Sequence, residues 1–184
     1  MTRTLRIAAT LAAASFLAAC GPPPRHAHMW ASGADASSSG TTGSDFGALQ
    51  ATGAPDVTGC GDIPQAWSPA SATSTTDYLV LSYNRYVHVS DVRIYETYNP
   101  GAITQVDVEA SDNHVPPFNL FLSASGDGNP GCPTVFHLHV DGDTGASYDR
   151  VAIYFNPSLI GDRNGDAMPN DFPEIDAVEL DGTY

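Results

Sequence analysis

The feature that most constrains this chain is a succession of short alternating segments, and the clearest of them is Val92 to Glu109. Val92, Ile94 and Glu96 fall on one side with Arg93 and Tyr95 on the other, and Val106 and Val108 oppose Gln105, Asp107 and Glu109. A period of two is that of half-buried strands. Between the halves, Asn99-Pro100-Gly101 supplies a turn: Pro100 fixes φ, and Asn99 and Gly101 tolerate the backbone of a sharp reversal. The stretch therefore predicts two antiparallel strands joined by a rigid corner.

Further strands are expected at Tyr78–Tyr83, Arg85–Val89, Phe118–Leu122, Thr134–Val140, Arg150–Phe155 and Glu174–Leu180. In the Thr134–Val140 segment, Val135, His137 and His139 should oppose Phe136, Leu138 and Val140. Turn signals separate these runs and no segment carries a convincing helical period, so the expected class is an all-β sandwich or barrel.

The first nineteen residues read as an export signal: Arg3 and Arg6, an apolar run from Ile7 to Phe16, then Leu17-Ala18-Ala19 before Cys20. The Leu17–Cys20 block resembles the bacterial lipobox, which implies cleavage before Cys20 and a diacylglycerol on its sulfur. Gly21 after the cysteine suggests outer-membrane sorting, by analogy with enteric bacteria. Residues 20–43, rich in proline, serine and glycine, read as a flexible tether, and residues 44–184 as one domain. No later stretch is long and apolar enough to span a bilayer as a helix.

Loss of Arg3 and Arg6 with the signal takes the formal charge from −14 to −16, because every basic residue is an arginine and every acid lies further on. Such a surface repels nucleic acid and anionic headgroups and suits cations. With Cys20 lipidated, Cys60 and Cys132 remain as a pair in an oxidising setting, both in glycine-rich loops, and are expected to form a disulfide. Residues 50–67 are loop chemistry throughout, and an ordered loop of that length needs a clamp. Cys60 offers a disulfide; Asp56 and Asp62 offer oxygens for an ion.

Chemistry of the catalytic kind finds little support. There is no His-Glu-x-x-His, no Gly-x-Ser-x-Gly, and no nucleophile beside a base motif. His137 and His139 point to one face and could hold a metal, but no third ligand is evident; His26 and His28 fall in the expected tether. Asp162-Arg163-Asn164-Gly165-Asp166 resembles the start of an EF-hand loop, with Ala167 and Pro173 breaking the match.

Four blocks carry a wider likeness: Gln50–Asp56, Gly61-Asp62 with Ala66-Trp67, Ile94–Gly101, and Glu174–Leu180. In that order they resemble the galactose-binding-like, discoidin-type β-sandwich, in the variety found in pappalysin-type proteins, from about residue 47 to 183. The resemblance implies an eight-stranded antiparallel jelly roll with its two ends close together. It also implies a structural calcium between the first long loop and the last strand, carried here by Asp56 or Asp62 with Glu174. The function expected is a noncatalytic module displayed from the bacterial cell envelope and binding glycans, with the loop aromatics Trp67 and Tyr98 as sugar contacts. The alternative is a structural or protein-interaction domain of an envelope assembly, with no sugar site.

Overall fold

A computed structural model describes residues 23–41, 44–128, 131–160 and 172–184. Cys20 and the EF-hand-like segment fall outside the described residues. Eight strands are present: β1 His26–Trp30, β2 Gly33–Ala36, β3 Asp77–Tyr98, β4 Ile103–Glu109, β5 Phe118–Leu122, β6 Thr134–His139, β7 Tyr148–Phe155 and β8 Glu174–Thr183. All pairings between them are antiparallel.

The strands form two layers that share β3. Its first half, to Val87, lies between β2 and β7, and that layer continues through β4 to β5. Its second half, from His88, lies between β8 and β6, with β1 outside β8. Three separate segments were expected where β3 runs unbroken for 22 residues. Ser90 is stepped over in the register between Val89–Gly182 and Asp91–Asp181. Such an extra residue bends and twists a strand. It also resets the side-chain alternation, so Leu79, Leu81, Val87 and Val89 before it and Val92 and Ile94 after it all reach the core.

The expected hairpin is likewise corrected. β3 ends in one layer and β4 pairs with β5 and β7 in the other, so Asn99-Pro100-Gly101 is a corner between layers. Its backbone chemistry is as anticipated: Asn99 and Gly101 have φ of 43° and 114°. Ile94 and Val106 remain in one core, contributed from the two layers.

Residues 26–36, expected as tether, are strands. Ala27 and Met29 of β1 and Ala34 and Ala36 of β2 pack against the core, and Ala31 between the strands is buried within it. Small side chains give a weak alternation signal, and edge pairing with β8 and β3 supplies the order that side chains alone would not. β6 alternates as anticipated, with Val135, His137 and His139 exposed and Phe136 and Leu138 packed inward.

Cys60 and Cys132 form a disulfide across 72 residues. In the chain-entropy picture a loop of that length contributes about 4 kcal/mol. The Cys60→Ser/Cys132→Ser variant should therefore lose a few kcal/mol of unfolding free energy in urea, with unchanged far-ultraviolet dichroism. Gly182 is the tightest backbone contact in the second layer: a Cβ there would sit 2.3 Å from the His88 carbonyl oxygen and 2.9 Å from the Val87 side chain. Gly182→Ala should cost roughly 2 kcal/mol or more through overpacking, measured by thermal or urea unfolding.

Candidate functional site: buried carboxylates beneath a pinned loop

The first long loop, residues 52–66, is fastened over one end of the second layer. Trp67 and Ile175 exchange both backbone hydrogen bonds, at 2.8 and 2.9 Å, and Gly61 N–H donates to the Thr97 carbonyl. The disulfide holds the middle of the loop to the segment entering β6. Beneath it, the register of β8 on β3 steps over Asp176, between Tyr95–Ala177 and Glu96–Ile175. That irregularity sends both Glu174 and Asp176 toward the loop while Ile175 stays in the core.

The expected trio of Asp56, Asp62 and Glu174 divides into two pairs. Glu174 is almost fully buried and accepts a hydrogen bond from Ile63 N–H at 3.2 Å through Oε2, while Oε1 is buried without a partner in hydrogen-bond geometry. Burial pushes its carboxyl up to about 8, against the pull of the Ile63 N–H, and the Asp62 carboxyl beside it pushes the same way. Asp56 instead meets Asp176. The Asp56 and Val57 N–H groups donate to Asp176 Oδ2 at 3.1 Å each. Burial, offset by those two donors and reinforced by the Asp56 carboxyl, raises Asp176 to about 6.

Asp176 was missed as a site residue, although Glu174-Ile175-Asp176 offered a signal: two acids two apart in an otherwise apolar final strand. Two carboxylates in contact, one with an orphaned buried oxygen, fit a hard cation that takes oxygen ligands only. Asp62 and Glu174 are the residues that would hold one, with loop carbonyls and water completing the shell.

The two expected aromatic contacts stand in different environments. Trp67 is fully buried, packs on Phe155 with ring centroids 5.0 Å apart, and donates its indole N–H to the Ser38 carbonyl. It plugs the core and has no face to offer a sugar. Tyr98 is half-buried, opposite Glu174 in the register. The concave feature at this end is instead a cleft of about 570 Å³ between the loop and the start of β6. Pro55, Val57, Thr58, Tyr95, Thr134 and Val135 line it, above the buried Glu96 and Asp176.

This architecture has known counterparts. The chain belongs to the family described as pappalysin-1, SD scarf domain, C-terminal, whose model matches residues 23–183. A search of curated proteins returns no match. Among solved structures it is similar to chitosan-binding module 1 of a chitosanase/glucanase from Paenibacillus sp. IK-5, at 12% identity and a TM-score of 0.54, covering 80% of this chain and 92% of that one. It is also similar to the family 32 carbohydrate-binding module of Clostridium perfringens NanJ, solved with galactose, at 17% identity and a TM-score of 0.53, covering 84% and 99%. The lectin-binding domain of lectinolysin, solved with Lewis b, matches at 11% identity and a TM-score of 0.52, covering 83% and 92%. The fold is thus the galactose-binding-like jelly roll anticipated from the sequence.

The raised carboxyls set a pH dependence. Glu174 at about 8 and Asp176 at about 6 lie above their ordinary values of 4.5 and 3.8, so the folded state holds protons that the unfolded chain has released. Their contribution is fully present below about pH 4 and is lost as pH rises through 6 and 8. With divalent cations chelated, the unfolding free energy should fall by roughly 3 kcal/mol or more between pH 5 and 8.5, at about 1.4 kcal/mol per unit for each group. Glu174→Gln should remove most of that slope in urea titrations run at each pH.

Proposed function

We propose that this protein is a noncatalytic glycan-binding module, held on the bacterial envelope by a lipid on Cys20 and stiffened by calcium at Asp62 and Glu174. The observation that carries the glycan reading is the cleft beside the disulfide. It is concave, has a phenol ring, aliphatic walls and threonine hydroxyls, and belongs to a jelly roll shared with modules solved with galactose and Lewis b. Apolar sugar faces suit Tyr95, Val57 and Val135, and sugar hydroxyls suit Thr58 and Thr134. A charge of −16 on the exported chain disfavours sialylated or uronic glycans and favours neutral or amino sugars.

The calcium reading rests on the Asp62–Glu174 contact and the orphaned Glu174 oxygen. A bound dication reverses the electrostatics that otherwise protonate Glu174, and the ion stabilises the folded state in proportion to its affinity. The envelope reading rests on the Leu17–Cys20 motif alone.

A glycan array probed with a soluble form lacking residues 1–20 tests the main reading. Neutral or amino sugars should be retained by the wild type and lost with Val135→Arg, which fills the cleft from an exposed position. Silence of the folded wild type across the array would move the function to a protein partner in an envelope assembly. Chelation at pH 8 should lower the melting temperature of the wild type but leave Glu174→Gln unchanged; equal melts with and without chelator would remove calcium from the account. Labelling with a palmitate analogue should mark the wild type and not Cys20→Ser.

A further inference from the structure

The outer face of the β1-β8-β3-β6 layer carries polar side chains in two rows that run across the strands. The register sets His28, Asp181, Asp91 and His139 side by side in one row, and Trp30, Glu179, Arg93 and His137 in the next. With neutral imidazoles the three carboxylates outweigh the single guanidinium, leaving a formal charge of −2.

At the β1 end the groups converge. His28 Nδ1 lies 2.9 Å from Asp181 Oδ1 and 3.0 Å from Glu179 Oε1. A nitrogen and two carboxylate oxygens thus lie within 4.8 Å of one another. Both carboxylates are held from behind: Tyr95 O–H donates to Glu179 Oε2 at 3.1 Å, and Arg93 Nη1 donates at 2.6 Å to Asp181 Oδ2 and to Glu179 Oε1. The His28 ring rests edge-on against Trp30, which in turn meets Tyr95. The Glu179 side chain is only 5% exposed whereas His28 is 60% exposed, so the cup has a buried floor and an open mouth.

We propose that His28, Glu179 and Asp181 form a binding site for a divalent transition-metal ion such as zinc. On the open side of the two carboxylates only the His28 imidazole approaches them, Arg93 bridging them from behind, and a cation at that point would replace the imidazole proton. Zinc takes nitrogen at about 2.0–2.1 Å and carboxylate oxygen at about 2.0–2.2 Å, so tetrahedral ligands stand roughly 3.4 Å apart. The two nitrogen-to-oxygen spacings need to open by only about half an ångström to reach that value. A mixed imidazole and carboxylate set suits zinc, copper or nickel, in contrast to the oxygen-only pair beneath the loop. The charge of the two rows matches one dication, and Arg93 and Tyr95 orient the ligating carboxylates as outer-shell partners do. Arg93 keeps its bond to Asp181 Oδ2 and shares Glu179 Oε1 with the ion. The fourth position faces solvent above His28 and is open to water or to a donor from a ligand.

At the other end of the rows His137 Nε2 and His139 Nδ1 both approach one oxygen, Asp91 Oδ1, at 2.8 and 2.9 Å. That arrangement orders two rings around one acceptor, and those three ligand atoms do not form so compact a group. The proposal is independent of the glycan reading.

Zinc titrated calorimetrically into the calcium-saturated chain lacking residues 1–20 provides the test. The wild type should take up one saturable equivalent. His28→Ala and Asp181→Asn should each weaken it by at least about tenfold, the loss expected even for an outer-shell partner. The His137→Ala/His139→Ala variant should bind as the wild type does. His28 is an exposed edge residue, so its removal leaves the fold intact, and matched melting curves verify this. No uptake by the wild type, uptake unchanged in His28→Ala, or uptake lost only in the His137→Ala/His139→Ala variant would overturn the proposal.

Discussion

The structure depends on one strand serving two sheets. β3 leaves one layer and enters the other between Val87 and His88 without a loop, just past the register break between Ser82 and Val87 in its pairing with β7. Within the second layer Ser90 is stepped over in its pairing with β8. That single extra residue restores inward alternation and adds the bend that two facing layers require. Gly182 sits opposite Val89, where the His88 carbonyl comes within 2.3 Å of any added Cβ. β8 is therefore locked to the bend at the point of closest approach. The corner after Tyr98 then completes the crossover, and β4 can face Ile94 across the core.

Much of this was legible in the alternation. The outward histidines of β6, the strand character of all eight expected segments and the pairing of the cysteines follow from period, turn chemistry and exclusion of the third thiol. What escaped the sequence was relational. An antiparallel hairpin and a corner between layers have the same local chemistry at Asn99-Pro100-Gly101, and only the partners of β4 separate them. Residues 26–36 looked like tether because Ala27, Ala31, Ala34 and Ala36 bury little surface each and give almost no hydrophobic period. Trp67 drew attention as a loop aromatic, yet the backbone bonds to Ile175 turn its ring inward. Asp56 and Asp62 were recognisable as loop acids, but nothing local told which would meet Glu174 and which Asp176.

The final strand puts acidic side chains to two uses. Below its irregularity, Glu174 and Asp176 are drawn under the loop, where desolvation favours protons or a hard cation. Above it, Glu179 and Asp181 face outward and are organised by Arg93, Tyr95 and His28. A chain with 21 acids and seven arginines has few ion pairs to offer, so most of its buried carboxylates rely on neutral donors: hydroxyls at Asp77 and Asp149, an amide at Asp107, and backbone N–H groups at Glu174 and Asp176. The folded state is thereby coupled to pH.

The pairing of Arg25 with Tyr184 fixes where the proposed lipid anchor would join the sandwich. Their backbones exchange hydrogen bonds at 3.0 and 3.1 Å, at the opposite end of β8 from Glu174. Five peptide units separate Cys20 from Arg25, a reach of at most about 18 Å. An acyl chain at Cys20 would thus moor the sandwich upright on a short stalk, with the Arg25–Tyr184 pair toward the headgroups. β8 rises about 30 Å from there, and the cleft would crown the far pole, turned toward whatever approaches the cell.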